Sequence, residues 1–144
     1  FDALVLAVAG LTRLAIDDAL WTPIPTEVCL PAPGQGALAI QTRAEDGPTR
    51  ALVAPLDDSE TAQATIAERT FLGALGAGCL APAGALAQVA DGRLTLTALV
   101  ATPDGTKVVR ETASGTMSDA AVLGLAVAEE ILAAGGDAIV KGAR

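Results

Sequence analysis

The residue best suited to chemistry in this chain is Cys79, set in LGAGCLAPAG at 75–84. A thiolate is a soft nucleophile that can bond covalently to carbon. The small neighbours Ala77, Gly78 and Ala81 leave room around the sulfur for something bulky. A free cysteine is more often a packed small hydrophobe, but a loop beside glycines is a poor place to bury one. Cys29, between Val28 and Leu30, suits a packing role better. Arg13 and Arg43 each follow an apolar strand candidate, near the element ends where ligands of α/β folds collect. Solvation at the surface is the ordinary fate of such arginines, and spacing alone does not choose between the two. Between them lies PGQG (33–36), which lacks the glycine spacing and the Lys-Ser/Thr ending of a phosphate-cradling loop. It reads as a hinge or tight turn in which Gln35 could offer its amide to a ligand. Asp57, Asp58 and Ser59 read as helix caps rather than as an acid–base pair.

Composition removes several kinds of chemistry. There is no histidine, which excludes histidine-based triads and histidine metal sites, and the two cysteines fifty positions apart form neither a zinc pattern nor a disulfide framework. No metal site is expected. A net charge of −8 argues against a nucleic-acid surface, where clustered Lys and Arg neutralise phosphates. The opening FDALVLAVAGL is too short to span a bilayer and lacks the basic flank of a signal peptide, so no membrane partner is expected. A reducing cytoplasm is the simplest setting for the two thiols. The chain starts without Met inside an apolar run, which reads as a truncated start.

The elements that must position these residues follow from periodicity. ALVLAV (3–8) suits a buried strand, LTRLAIDDAL (11–20) a short helix, and ALAIQTR (37–43) an alternating strand ended by the polar AEDGPTR. Residues 57–76 predict a helix with Ala62, Ile66, Ala67, Phe71 and Ala74 on its apolar face, ended by Gly76 and Gly78. Three strands, 83–90, 93–101 and 106–113, follow as a meander through the Asp91-Gly92 and Pro103-Asp104-Gly105 turns. In the middle strand Leu94, Leu96, Ala98 and Val100 share one face, opposite Thr95 and Thr97. A last helix, capped by Ser118-Asp119, carries Leu123, Val127 and Ile131 at four-residue steps and ends at Gly135-Gly136, with AIV (138–140) as a further short segment. The expected class is α+β: a three-stranded antiparallel sheet with helices on one face, preceded by partial α/β segments.

Four stretches, FDALVLAVAGLTRL, LPAPGQGALAIQTR, AERTFLGALGAGCLAPAGALA and LTALVATPDG, together resemble the porphobilinogen deaminase (hydroxymethylbilane synthase) family. The combination of PAPGQGA, AER and GC-x-x-P is specific, and the resemblance covers almost the whole chain. It implies the C-terminal portion of a longer, three-domain transferase of tetrapyrrole (heme) biosynthesis. Residues 1–54 would be remnants of two α/β domains (strand-helix, hinge, strand), and 55–144 the C-terminal domain that binds the dipyrromethane cofactor. The matching cysteine, Cys79, would carry that cofactor through a thioether, as a primer extended by four porphobilinogen units. Arg13 and Arg43 would pair with the acetate and propionate groups of cofactor or substrate, since arginine's fork takes a carboxylate by two bonds. Backbone near Ala7–Gly10, with Gln35 and Gly36, would line the same cleft. The family's catalytic aspartate has no counterpart here, so no catalytic residue is assigned and these residues alone are expected to be inactive. Departures from the family pattern at Ala77, Leu80 and Ala85-Leu86 leave the nucleophile intact. Residues 1–54 are expected to rearrange onto the C-terminal unit, to swap between chains or to dimerise. The alternative is a non-catalytic acidic interaction domain that carries no cofactor.

Overall fold

The computed structural model describes residues 2–76 and 81–142. The chain begins with a short helix, α1 (Val8–Arg13), and a single 3₁₀ turn (Asp18–Leu20), then runs without regular structure to α2 (Gly47–Val53). Helix α3 (Ser59–Ala74) starts where Asp58 accepts the Thr61 N–H at 2.8 Å, as the run of acids predicts. That N–H holds the Asp58 carboxyl below its ordinary range. The helix stops at Gly76, whose φ of +65° is the left-handed conformation that glycine adopts freely. Gly78, the second expected stop, lies outside the described residues.

The meander forms as expected: β1 (Ala83–Ala90), β2 (Arg93–Ala101) and β3 (Val108–Thr116) pair antiparallel in that order. Asp91 and Gly92 take φ of +51° and +72°, the double left-handed turn whose twist suits a two-residue hairpin. The third strand runs three residues past the expected end. In the β2–β3 loop Asp104 accepts from Thr102 and Thr106, and these bonds, the Thr102 hydroxyl first, lower its carboxyl to about 2. Two further helices, α4 (Ala120–Ile131) and α5 (Asp137–Gly142), complete the unit. They join through a helical bend in which Gly135 takes φ +103°, so AIV (138–140) is helical, with Ile139 and Val140 buried.

Helices α3 and α4 pack together and lie on one face of the sheet. That face contributes Ala85, Ala87, Leu94, Leu96, Ala98 and Val100 to the core, and α4 contributes Leu123, Val127 and Ile131. The opposite face carries hydroxyl pairs at register partners, Thr95 with Ser114 at 2.8 Å and Thr97 with Thr112 at 3.0 Å. This is the expected α+β arrangement.

Segment 27–36 lies against this unit. The Arg110 guanidinium donates to the Glu27 carbonyl at 2.8 Å, and the Ala85 N–H donates to the Pro31 carbonyl at 3.0 Å. Gly84 lets this happen, because a Cβ there would stand 3.0 Å from Leu30 Cβ and 3.2 Å and 3.3 Å from the Leu30 and Pro31 carbonyl oxygens. We expect Gly84→Val to release segment 27–36 at a cost of about 1–3 kcal/mol, the usual range for overpacking. Limited proteolysis should then cut within 27–36, and the urea midpoint of the α+β unit should fall by no more than that docking energy. An uncut segment would show that the contact does not hold it.

Several local expectations are not met. Neither 3–8 nor 37–43 forms a strand, and Leu38 is 95% exposed. On β1 the Ala85 and Ala87 N–H groups are bonded to Pro31 and to the Glu68 carboxylate, so that edge of the sheet takes no further strand. The helix expected over 11–20 is displaced to 8–13 and ends before Ala15, which takes φ +51°. Residues 47–50, expected within the polar stretch AEDGPTR, instead open α2, because Asp46 caps it by accepting the Thr49 N–H at 3.1 Å. Ile66 is 41% exposed, and the neighbouring stripe through Ala64, Ala67, Glu68 and Phe71 faces inward. Cys29, expected to pack, is exposed.

Candidate functional site

A cleft of about 740 Å³ opens where four pieces of chain meet: α1, the loop after Leu30, α3 and the middle of β1. Gly10 and Arg13 line one wall, Gly34, Gln35 and Gly36 a second, and Thr65, Glu68 and Ala87 the rest. The loop turns tightly because Gly34 takes φ +73°. Gln35 closes it on itself, its N–H donating to the Ala32 carbonyl at 3.1 Å and its Oε1 accepting the Ala32 N–H at 3.2 Å. The side-chain oxygen of Gln35 therefore belongs to the turn, and only its NH₂ end remains to meet a ligand.

Glu68 anchors this loop. It is only 8% exposed, yet both carboxylate oxygens are used. Oε2 accepts the Gly34 N–H at 2.6 Å and Oε1 accepts the Ala87 N–H at 2.7 Å. No buried side-chain polar atom among the described residues lacks a partner. Sequence reasoning took Glu68 only as part of the AER signature and gave it no role. The available signal was a carboxylate at helical spacing inside an apolar stripe, three or four residues from Ala64 and Phe71. Such a group is buried only when something donates to it.

The expected site residues divide. Arg13, Gln35 and Gly36 come together in the cleft. Among the described residues Arg13 has no ion-pair partner, which leaves its guanidinium available to a carboxylate. Arg43 does not join them. It is 85% exposed and bonds Asp46 at 3.0 Å. The Thr49 N–H first, and then Arg43, hold the Asp46 carboxyl below its ordinary range. Cys79 lies outside the described residues, in the four-residue connection between Gly76, after α3, and Ala81, before β1. A second concavity, lined by Leu4, Leu6, Trp21 and Cys29, is mostly apolar. No group of three or more His, Cys, Asp or Glu among the described residues could hold a metal ion, and no helix there is long and apolar enough to cross a membrane.

Comparison with known proteins places these segments. Residues 62–133 match the family model described as porphobilinogen deaminase, C-terminal domain, and residues 1–51 match that described as porphobilinogen deaminase, dipyromethane cofactor binding domain. Over 143 residues, 99% of this chain, it is 46% identical to the porphobilinogen deaminase of Pelotomaculum thermopropionicum and 43% identical to that of Desulforamulus reducens. In each case the match covers 46% of the relative, so the chain spans about half the length of the curated relatives it matches. With matched segments forming both the cleft walls and the α+β unit behind them, the chain belongs to the porphobilinogen deaminase family.

Proposed function

We propose that this chain acts as part of a transferase that condenses four porphobilinogen units into the linear tetrapyrrole hydroxymethylbilane, with a dipyrromethane cofactor held through a thioether to Cys79. The observation that carries this reading is the cleft itself. Its walls come from both matched segments, α1 and the Gly34–Gly36 loop from one, α3 and β1 from the other. The donor set fits a chain of pyrroles bearing acetates and propionates: Arg13 offers an unpaired fork, and the Gln35 NH₂ end lies in the same wall. When bound, the dipyrromethane supplies the end onto which pyrrole units are added. Arg13 then orients its carboxylates, and the loop with Gly36 gives it a close backbone surface. Arg43 contributes only after leaving Asp46, a surface pair of the kind that holds weakly. Residues 1–54 act as parts of two α/β domains, and 55–144 as the domain that carries the anchor. Cofactor contacts thus fall on both sides of that boundary. The thiol requires a reducing, cytoplasmic setting. The exposed Leu4, Val5, Leu6 and Leu38 are the surfaces through which residues 1–54 would pair or swap between chains.

Intact-mass spectrometry after incubation with porphobilinogen tests the anchor, with a relative of full length as control. We expect an increment of two pyrrole units on the chain that is lost entirely in Cys79→Ser. An increment that survives the substitution would sink the assignment. A bare chain beside a loaded control does not by itself establish an interaction domain without cofactor, because the family primes its cofactor in a cleft of which these residues form only part. The same mixtures should contain no tetrapyrrole product made by these 144 residues alone.

A further inference from the structure

We infer that Glu68 is a positioning residue for the cleft. It touches no ligand, but it fixes where the 33–36 loop stands opposite Arg13. This inference rests on the cleft being the pyrrole site. Beyond the Arg110 bond to the Glu27 carbonyl, the loop and its approach are tied to the α+β unit through Pro31 and through Glu68. The Pro31 carbonyl accepts from Ala85, and the two Glu68 oxygens accept from Gly34 and Ala87.

The carboxylate is suited to this as no neutral side chain would be. Two N–H donors, one from the loop and one from the sheet edge, converge on it, and a carboxylate offers two oxygens and no hydrogen. Charged acceptors also make the shorter and stronger bonds, consistent with 2.6 Å and 2.7 Å here. Ala87 sits on β1, inside the core, so one bond ties Glu68 to a rigid element. The other reaches out to Gly34, whose φ of +73° sets the turn that presents Gln35 and Gly36 to the cleft. The Cγ of Arg69, the next residue, stands 4.0 Å from where a Gly34 Cβ would be. Without the carboxylate, the Gly34 N–H has no partner in the unit and the loop is free to leave the wall that carries Gln35 and Gly36.

Glu68→Gln tests this with shape conserved, since the amide turns one acceptor into a donor facing an N–H. Residue-resolved hydrogen exchange on the full chain should show the Gly34 amide exchanging roughly tenfold faster, the scale of one lost charge-assisted bond. The amides of Leu96 and Val127, in the core, should stay at their original rates. Porphobilinogen affinity, measured alongside, should fall in Glu68→Gln and also in Arg13→Gln. An unchanged Gly34 rate, or one rising in step with Leu96 and Val127, overturns the positioning role. So does a released loop with full affinity when Arg13→Gln has lost it. If Arg13→Gln binds porphobilinogen like the parent, the cleft reading itself fails, whatever Gly34 does.

Discussion

A Gly124→Val chain is expected to lose a large share of the stability of the α+β unit. Gly124 is buried in α4 at the point where that helix crosses α3. A Cβ there would stand 2.5 Å from the Ala67 carbonyl oxygen, 2.9 Å from Thr70 Cβ and 3.0 Å from the Phe71 nitrogen. Two of these are backbone atoms of α3, so no rotamer change relieves them and the helices must part. Overpacking typically costs ~1–3 kcal/mol and occasionally more, and a backbone clash belongs at the upper end. Against a total of about 5–15 kcal/mol for an ordinary domain, that is a large share. Gly73→Ala in α3 is the control, since nothing lies within 4 Å of its added Cβ. It should gain a few tenths to about 1 kcal/mol from helix propensity alone. Urea unfolding followed by circular dichroism reads both. A Gly124→Val midpoint equal to the parent's would show that the helices do not meet as closely as Gly124 implies.

The contrast between those two glycines marks what a sequence can and cannot convey. Both stand in helical segments, and only the neighbouring helix distinguishes them. The β-meander was legible because its signals are local: alternation in RLTLTALVA and the Asp91-Gly92 turn place Leu94, Leu96, Ala98 and Val100 inward without reference to anything distant. The same alternation in ALAIQTR misled, because a strand also needs a partner edge that alternation does not name, and the β1 edge gives its Ala85 and Ala87 N–H groups to Pro31 and Glu68. The candidate site divides in the same way. PGQG was legible as a turn from Gly34, whereas its attachment to Glu68, 34 positions away, was not. Arg13 and Arg43 look alike in sequence, each after an apolar run. The structure separates them through Asp46, which caps α2 and takes Arg43 with it.

Phe71→Ala is expected to be the costliest truncation in the chain. Phe71 is fully buried, whereas Trp21 stays partly exposed, so no other described ring reaches the core. The rest of that core is Ala, Leu, Val and Ile, and nine of its sixteen buried apolar residues among the described ones are alanine or valine. Small side chains fixed to paired strands and crossed helices have little reach to fill a void. The loss should therefore approach the top of the ~3–5 kcal/mol range found for Phe→Ala. Phe71→Leu keeps most of the volume and should cost about 1–2 kcal/mol. Leu38→Ala, at a side chain 95% exposed, should move the midpoint by no more than about 0.5 kcal/mol. The three variants compared at constant denaturant slope give the ordering. If Phe71→Ala unfolds at the same midpoint as Leu38→Ala, the ring is not the centre of the core. Because Phe71 follows Glu68 by one turn of α3, an intermediate loss should also loosen the Gly34 loop, so that its amide exchanges faster in Phe71→Leu than in the parent.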